Sequence, residues 1–386
     1  MIVYGDHDEK TLGQMKTCMS VGSAAAGVLC ADGHLGYAHP IGGVVGYTDH
    51  ISISGVGFDI ACGNMAIQLD TPYADVKGRI GTILHDIQNA VSFGVGRSND
   101  ERVDHDLFDS DLWNAADVAN LKELARNQLG TVGSGNHYVD IFEDDSGLTW
   151  IGVHFGSRGL GHKITTKYLA MAGAKDGMEV PPALLPADSD MGRGYLAGIE
   201  LGGIYAYAGR EWVVEKVRSI IGGADMFSVH NHHNFAWRET HNGVDMWVVR
   251  KGATPAFPGQ YGFVGGSMGD NAVILRGVES EASKAALYST VHGAGRVMSR
   301  TEARGKKHRK TGEVISLPRV DRDEWQDWLA ERGVTLLGAD LDEAPQAYRR
   351  LPDVLAAHAG TIEVMHTLKP RGVIMAGANE FDPYKD

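Results

Sequence analysis

The sequence predicts an α+β fold, one large domain spanning residues 1–386 with a β-sheet core surrounded by helices. Three observations carry this expectation. Strand-like and helix-like runs are interspersed without the regular strand–helix–strand period of a doubly wound sheet. No internal repeat or low-complexity linker divides the 386 residues, a length that can bury a large core. The residues able to do chemistry stand in glycine-rich stretches beside the strand-like runs, where sites generally lie.

Met65–Leu69, Leu148–His154, Val244–Arg250 and Asn271–Leu275 are mostly β-branched or apolar and are bounded by turn residues, which predicts strands. Helical periodicity is clearest over Leu112–Leu129, Tyr195–Ile220, Asp323–Arg332 and Asp353–Leu368. Charged residues at 22% and hydrophobic residues at 43% are ordinary globular values. No run of 18 apolar residues predicts a membrane span, and "MIVYGDHDEK" lacks the pattern of a signal peptide. Cys18, Cys30 and Cys62 form no disulfide framework, which suits a reducing cytoplasm.

A net charge of −13 argues against a protein that coats nucleic acid, because phosphate binding is driven by Lys and Arg. It leaves room for a local basic cleft. "SRTEARGKKHRK", Ser299 to Lys310, concentrates Arg300, Arg304, Lys306 and Lys307 in one segment. A solvated face is the ordinary reading of such a run; its place directly after "STVHGAGRVMSR" suggests a path for RNA or phosphate. In that preceding stretch His292 stands before two glycines and Arg296. Glycine lets backbone approach a ligand closely, and arginine can fork onto a phosphate, so His292 is placed to meet a phosphorylated molecule.

Glycine is 51 of 386 residues, nearly twice the average of about 7%, and the 17 histidines cluster. "GVGFDIACGN" sets Asp59 three residues before Cys62 in a glycine-flanked turn, and "GSGNHYVD" offers Asn136 and His137. "VHFGSRGLGH" ends a strand-like run with His154 and then Arg158, and "HNHHNFAWRE" carries His230, His232 and His233. Neighbouring residues of an extended chain point to opposite faces, so His232 and His233 do not both meet one ion. Asp, Cys and several His together are the ligand chemistry of a transition ion, and by ligand type alone zinc or cobalt fit as well as manganese. "RKGATPAFPGQYGFVGGSMGDN" adds a loop, Gly266-Ser267-Met268, whose backbone N–H groups suit an anion or the face of a base.

Taken in order, these segments resemble the RtcB family of RNA-splicing ligases, from about Asp32 to Met375. "ADGHLGYAHPIGG", "GVGFDIACG", "GSGNH", "VHFGSRGLGH", "HHN", "RKGA", "GSMG" and "HGAGRVMSR" follow in the family's order, with His137 and His154 17 residues apart as the family has them. The resemblance implies a nucleophile at His292 that becomes guanylylated by GTP. It implies a two-manganese site on Asp59, Cys62, His137, His154 and His233, with Cys62 bridging. Asn136 is similar to a residue that contacts the nucleotide's phosphate. Gly293, Ala294, Gly295 and Arg296, with Gly266, Ser267 and Met268, look like parts of the GMP pocket. The implied substrate is RNA with a 3′-phosphate or 2′,3′-cyclic phosphate end and a 5′-hydroxyl end, contacted by Arg158, Arg300, Arg304, Lys306 and Lys307. The implied roles are tRNA splicing or RNA repair.

Two positions depart from the family's pattern. Asp140 stands where the family usually has a glutamate near the guanine, and Met375 stands at the place of a guanine-contacting lysine. An apolar thioether cannot donate a hydrogen bond as an ammonium does. The eleven residues after Met375 extend past the family's usual end and are expected to form a tail, and Lys385 within it is a remote candidate to reach back. These departures motivate an alternative, a manganese-dependent RNA-end nucleotidyltransferase or phosphoesterase that does not seal strands. A metal-stabilised binding module without catalysis is the third class, and the retained His292 argues against it.

Overall fold

The computed structural model describes residues 1–308, 311 and 313–377. Four neighbouring strands of its largest sheet run antiparallel in the order Tyr138–Asp144, Leu148–Phe155, Gly63–Pro72 and Asp225–His232, the last at the sheet's edge. Strand Ile362–Gly377 pairs with the first of these, followed outward by Ala272–Gly277 and Tyr261–Val264, with Thr335–Ala339 pairing off Ile362–Gly377. A second sheet orders Ile2–Val3, Ala24–His34, Ile41–Tyr47, Val244–Lys251 and Asn234–His241. One residue, His233, separates the last strand of the first sheet from the edge strand of the second. This is an α+β fold with a sheet core, as the interspersed patterning predicts.

The register decides where the chemistry lies. Tyr138 pairs with His154, Asn64 with His154, Gly63 with His232, and Met375 with Tyr138. Antiparallel neighbours therefore bring the starts of strands 63–72 and 138–144 together with the ends of 148–155, 225–232 and 362–377. His137, His154, Cys62 and His233 all sit at this one end of the sheet.

Helix Asp190–Ile221 packs along the sheet and buries Val213, Val214, Val217 and Ile221 against its strands. Ser189 caps its start by accepting from Gly192 N–H, and Gly222, with φ of 90°, ends it. Glycine inside a helix costs about 1 kcal/mol relative to alanine. At Gly202 close packing explains the choice, because an added Cβ would stand 2.9 Å from a methyl of Ile60, within the Asp59–Cys62 turn. Gly63 is tighter still: a Cβ there would lie 2.2 Å from the Asn231 carbonyl oxygen. Gly63→Ala is expected to lower stability by about 1–3 kcal/mol through overpacking of strands 63–72 and 225–232. An unchanged melting temperature would show that the strands part without strain.

Two helical expectations are corrected. Leu112–Leu129 is broken into helix Leu112–Ala115, a 3₁₀ turn at Ala119–Leu121 and helix Lys122–Gln128, with Asp117 between them at φ of 52°. The Asp353–Leu368 reading fails after its first turn: the helix is Leu351–Ala356, Gly360 turns the chain with φ of 87°, and Ile362–Gly377 is a strand. The β-branched Ile362, Val364, Thr367, Val373 and Ile374 favour that outcome. The four expected strands and the two other helices are present. No described helix is long and apolar enough to cross a membrane. Most of the expected tail, Ala378–Asp386 with Lys385, lies outside the described residues, as do Arg309 and Lys310.

Candidate metal and nucleotide site

The Asp59–Cys62 turn, held by Cys62 N–H donating to the Asp59 carbonyl at 3.0 Å, delivers a carboxylate and a thiol to the same end of the sheet. Cys62 Sγ lies 3.3 Å from His154 Nε2 and 3.6 Å from His137 Nε2, and Asp59 Oδ2 lies 3.0 Å from His137 Nε2. Two convergent groups result, Asp59/Cys62/His137 and Cys62/His154/His233, each with ligand atoms within 4.8 Å of one another. Cys62 belongs to both.

Backbone carbonyls set the imidazoles. His154 Nδ1 donates to Asn136 O at 3.0 Å, which leaves the Nε2 lone pair facing the thiol. His137 Nδ1 is 3.1 Å from Val132 O and also 3.1 Å from an Arg158 N–H donor. One nitrogen cannot donate to the first and accept from the second. The tautomer that donates to Val132 frees Nε2 for an ion, and it matches the arrangement at His154. His233 Nδ1 is buried with no hydrogen-bond partner among the described residues, an orphan that a metal would satisfy. His232 turns the other way and meets Arg210 at 3.0 Å, so the two adjacent histidines diverge as expected of an extended chain.

Burial would raise the pKa of Asp59, but the hydrogen bond and charge of His137 and the charge of Arg158 outweigh it and hold the carboxyl well below its usual range. Burial, reinforced by the Asp59 charge, pushes the Cys62 thiol far up. Burial also lowers His154 and His233, keeping both neutral and able to ligate. A buried anion, a thiol awaiting deprotonation and neutral imidazoles fit a divalent transition ion.

His292 reaches this cluster through a short strand. Ser289–Val291 pairs with Ala253–Pro255, and Ala253 N–H donates to His233 O, so the His292 ring stands 4.9 Å from the His233 ring, centroid to centroid. Its partner is Asp32, a fully buried carboxylate within "ADGHLGYAHPIGG" to which the sequence pattern alone gives no role. Asp32 Oδ2 accepts from the backbone N–H groups of His292 and Gly293 at 3.0 and 3.3 Å. It also lies 2.6 Å from His292 Nδ1, although the ring N–H is off the line of a good hydrogen bond. Asp32's burial is outweighed by the His292 charge and hydrogen bonds, which keep it ionised. The carboxylate lies on the Nδ1 side, so Nε2 is the nitrogen turned away from it.

His292, Asp59 and His154 open into a cavity of about 1130 Å³. Asn136, Asp140, Gly266, Ser267, Met268, Gly293, Ala294, Gly295, Arg296, Arg300 and Met375 line it too, whereas Cys62, His137, His233 and Arg158 stand outside its lining. Met375 is buried opposite Tyr138, two pairs along from Val373 and Asp140; burial drives the Asp140 carboxyl up, and both Asp140 Oδ1 and the Tyr138 hydroxyl lack hydrogen-bond partners among the described residues. Arg296 is occupied by Tyr348 and the Asp342 carbonyl, and Arg300 by Asp342 and Glu343. Arg304 ends a short helix at the cavity's edge, and Lys306–Lys307 form a two-residue strand beyond it.

Arg210 is the second residue that pattern reading missed. It is fully buried in helix 190–221 and donates to the Ala61 and Phe155 carbonyls at 3.0 and 2.5 Å, behind the Cys62 and His154 ligands. A lone arginine on an apolar helical stripe was the available signal.

A family model described as "tRNA-splicing ligase RtcB" matches residues 14–124 and 109–376, nearly the whole chain. The chain belongs to the RtcB family. It is 32% identical to the tRNA-splicing ligase RtcB of Archaeoglobus fulgidus over 91% of this chain and 88% of that one. It is 29% identical to the RNA-splicing ligase RtcB of Escherichia coli, covering 88% and 87%, and 28% identical to that of Mycobacterium tuberculosis, covering 92% and 97%. The RtcB relationship therefore extends beyond the glycine-rich motifs to almost the full length of each partner.

Proposed function

We propose that the protein is a GTP- and manganese-dependent RNA ligase that joins a 3′-phosphate or 2′,3′-cyclic phosphate end to a 5′-hydroxyl end, in tRNA splicing or RNA repair. The observation that carries the reading is an imidazole backed by a buried carboxylate, placed beside a convergent Asp/Cys/His cluster in one cavity. The RtcB names of the relatives support it.

Asp59, Cys62, His137, His154 and His233 would hold two manganese ions, which would neutralise charge on the reacting phosphoryl oxygens. His292 Nε2 attacks the α-phosphorus of GTP; the P–N bond forms, the bond to the β-phosphate breaks, and pyrophosphate leaves. Asp32 orients the ring from Nδ1 and stabilises the positive charge it develops. A 2′,3′-cyclic phosphate is first opened by water to a 3′-phosphate; an oxygen of the RNA 3′-phosphate then attacks the α-phosphorus and releases His292. The 5′-hydroxyl oxygen attacks the activated RNA phosphorus and GMP departs, sealing the strand. Asn136 and the backbone of the Gly266–Met268 and Gly293–Gly295 loops would hold the nucleotide, with Arg158, Arg300, Arg304, Lys306 and Lys307 along the RNA path.

Intact-protein mass after incubation with GTP and manganese, followed by addition of a broken RNA, tests the reading. A gain of one GMP and then a longer RNA is the expected pair of results. GMP transfer without a longer strand would replace ligation by end modification. Absence of any adduct would remove the guanylylated intermediate.

Two variants probe the details. Asp32→Asn is expected to slow adduct formation by at least about 100-fold, since the ring loses its orienting anion; an unchanged rate would make Asp32 structural only. Met375→Lys would place an ammonium beside Asp140, with the expected result of a severalfold lower KM for GTP. A KM that rises instead would mean that the thioether itself packs against the base.

A further inference from the structure

On the far side of His232 from the catalytic cavity lies a groove of about 480 Å³ between helix Asp190–Ile221 and strand Asn234–His241. We infer that this groove binds a cationic side chain, arginine or lysine, presented by a basic polypeptide.

The groove's walls follow from two periodicities. Glu200, Ile204, Tyr207 and Glu211 form one stripe of the helix, and Phe235 and Trp237 alternate on one face of the strand. The rings make a continuous surface. Phe235 lies 5.1 Å from Trp237 and stacks on His232 at 5.1 Å, while Tyr207 meets His232 edge-on at 4.2 Å. Two exposed carboxylates add negative charge. Glu200 has no partner among the described residues, and Glu211 stands 3.6 Å from His230 and feels the charge of the buried Arg210 beneath it.

Aromatic faces carry negative quadrupole charge and attract a cation, most strongly from Trp. Trp237 already accepts one within the protein, since the buried Arg250 guanidinium lies 4.9 Å from its ring centroid. Charge complementarity selects the occupant. Two carboxylates disfavour the phosphates of RNA, and the overall charge of −13 favours a basic partner. A metal ion is not the better occupant, because the convergent ligand groups among the described residues are both in the catalytic cluster. The floor is preformed: His232 is fixed by Arg210 at 3.0 Å, and the Tyr207 hydroxyl donates to His230 O at 3.3 Å. A rigid site of this kind loses little ordering entropy on binding.

The test is fluorescence anisotropy of a labelled Gly-Arg-Gly-Arg-Gly peptide titrated with the full chain at low salt. Saturable binding is expected, weakened about tenfold by the double variant Glu200→Gln/Glu211→Gln and by Trp237→Leu. Glu281→Gln/Glu363→Gln, which removes the same charge elsewhere on the surface, is expected to leave it unchanged. Equal loss in both double variants would reduce the effect to general charge. Undiminished binding of a peptide with glutamine for arginine would make the groove merely apolar. Displacement by a short RNA would make it a nucleic-acid surface. Any of these, or no binding at all, overturns the inference.

Discussion

His292→Ala is expected to give a protein that forms no covalent nucleotide adduct yet keeps its metal content. The alanine deletes the imidazole that lines the cavity beside Asp32, and loss of a nucleophile costs several orders of magnitude in rate. The ligand groups on Asp59, Cys62, His137, His154 and His233 close without it. The loop should hold its course, because the backbone N–H groups of residues 292 and 293 still donate to Asp32. Mass spectrometry of the adduct and elemental analysis of the same sample separate the two effects. Metal that falls together with the adduct would make His292 a ligand and end its assignment as nucleophile.

Cys62→Ser is expected to deplete both metal positions together, because Sγ is the one atom shared by the two ligand groups. A hydroxyl is a poor substitute for a thiolate towards a transition ion. The pH dependence gives a second reading. Burial and then the Asp59 charge hold the thiol's pKa well above the ordinary value, so the metal-free protein carries a proton there at neutral pH. Metal must displace that proton, and affinity should therefore rise with pH, by about tenfold per unit below the raised pKa. It should weaken as pH falls. The serine variant should lose that slope along with occupancy. Chelator competition across roughly pH 6.5–8.5 measures both. Identical slopes would show that the thiol takes no part.

How far the sequence could be read depended on the range of the interaction. Local signals worked: the strand at Leu148–His154 and the helix at Asp323–Arg332 are where alternation and periodicity put them. Asp353–Leu368 misled because a sixteen-residue strand begins beyond the Gly360 turn, and its ladder partners at Tyr138–Asp144 are distant in sequence. The glycine-flanked Asp, Cys and His segments stood out as ligand chemistry, but only register shows that they share one end of one sheet. Asp32 was in plain view, and its role was not, because its partner His292 lies 260 residues away. Arg210 sat unnoticed inside a helix whose pattern was otherwise apolar.

The single residue between the two sheets sets an order of events for the newly made chain. His233 can face Cys62 only after strands 63–72 and 225–232 have paired, and it can face His292 only after 253–255 has met 289–291. Contacts so widely separated in sequence form late, after local structure has collapsed. A metal held by these groups would then be expected to bind a nearly finished fold rather than template it from the start. A cell short of the ion would then accumulate compact, metal-free protein, and supplying the ion afterwards should load the site without refolding the chain.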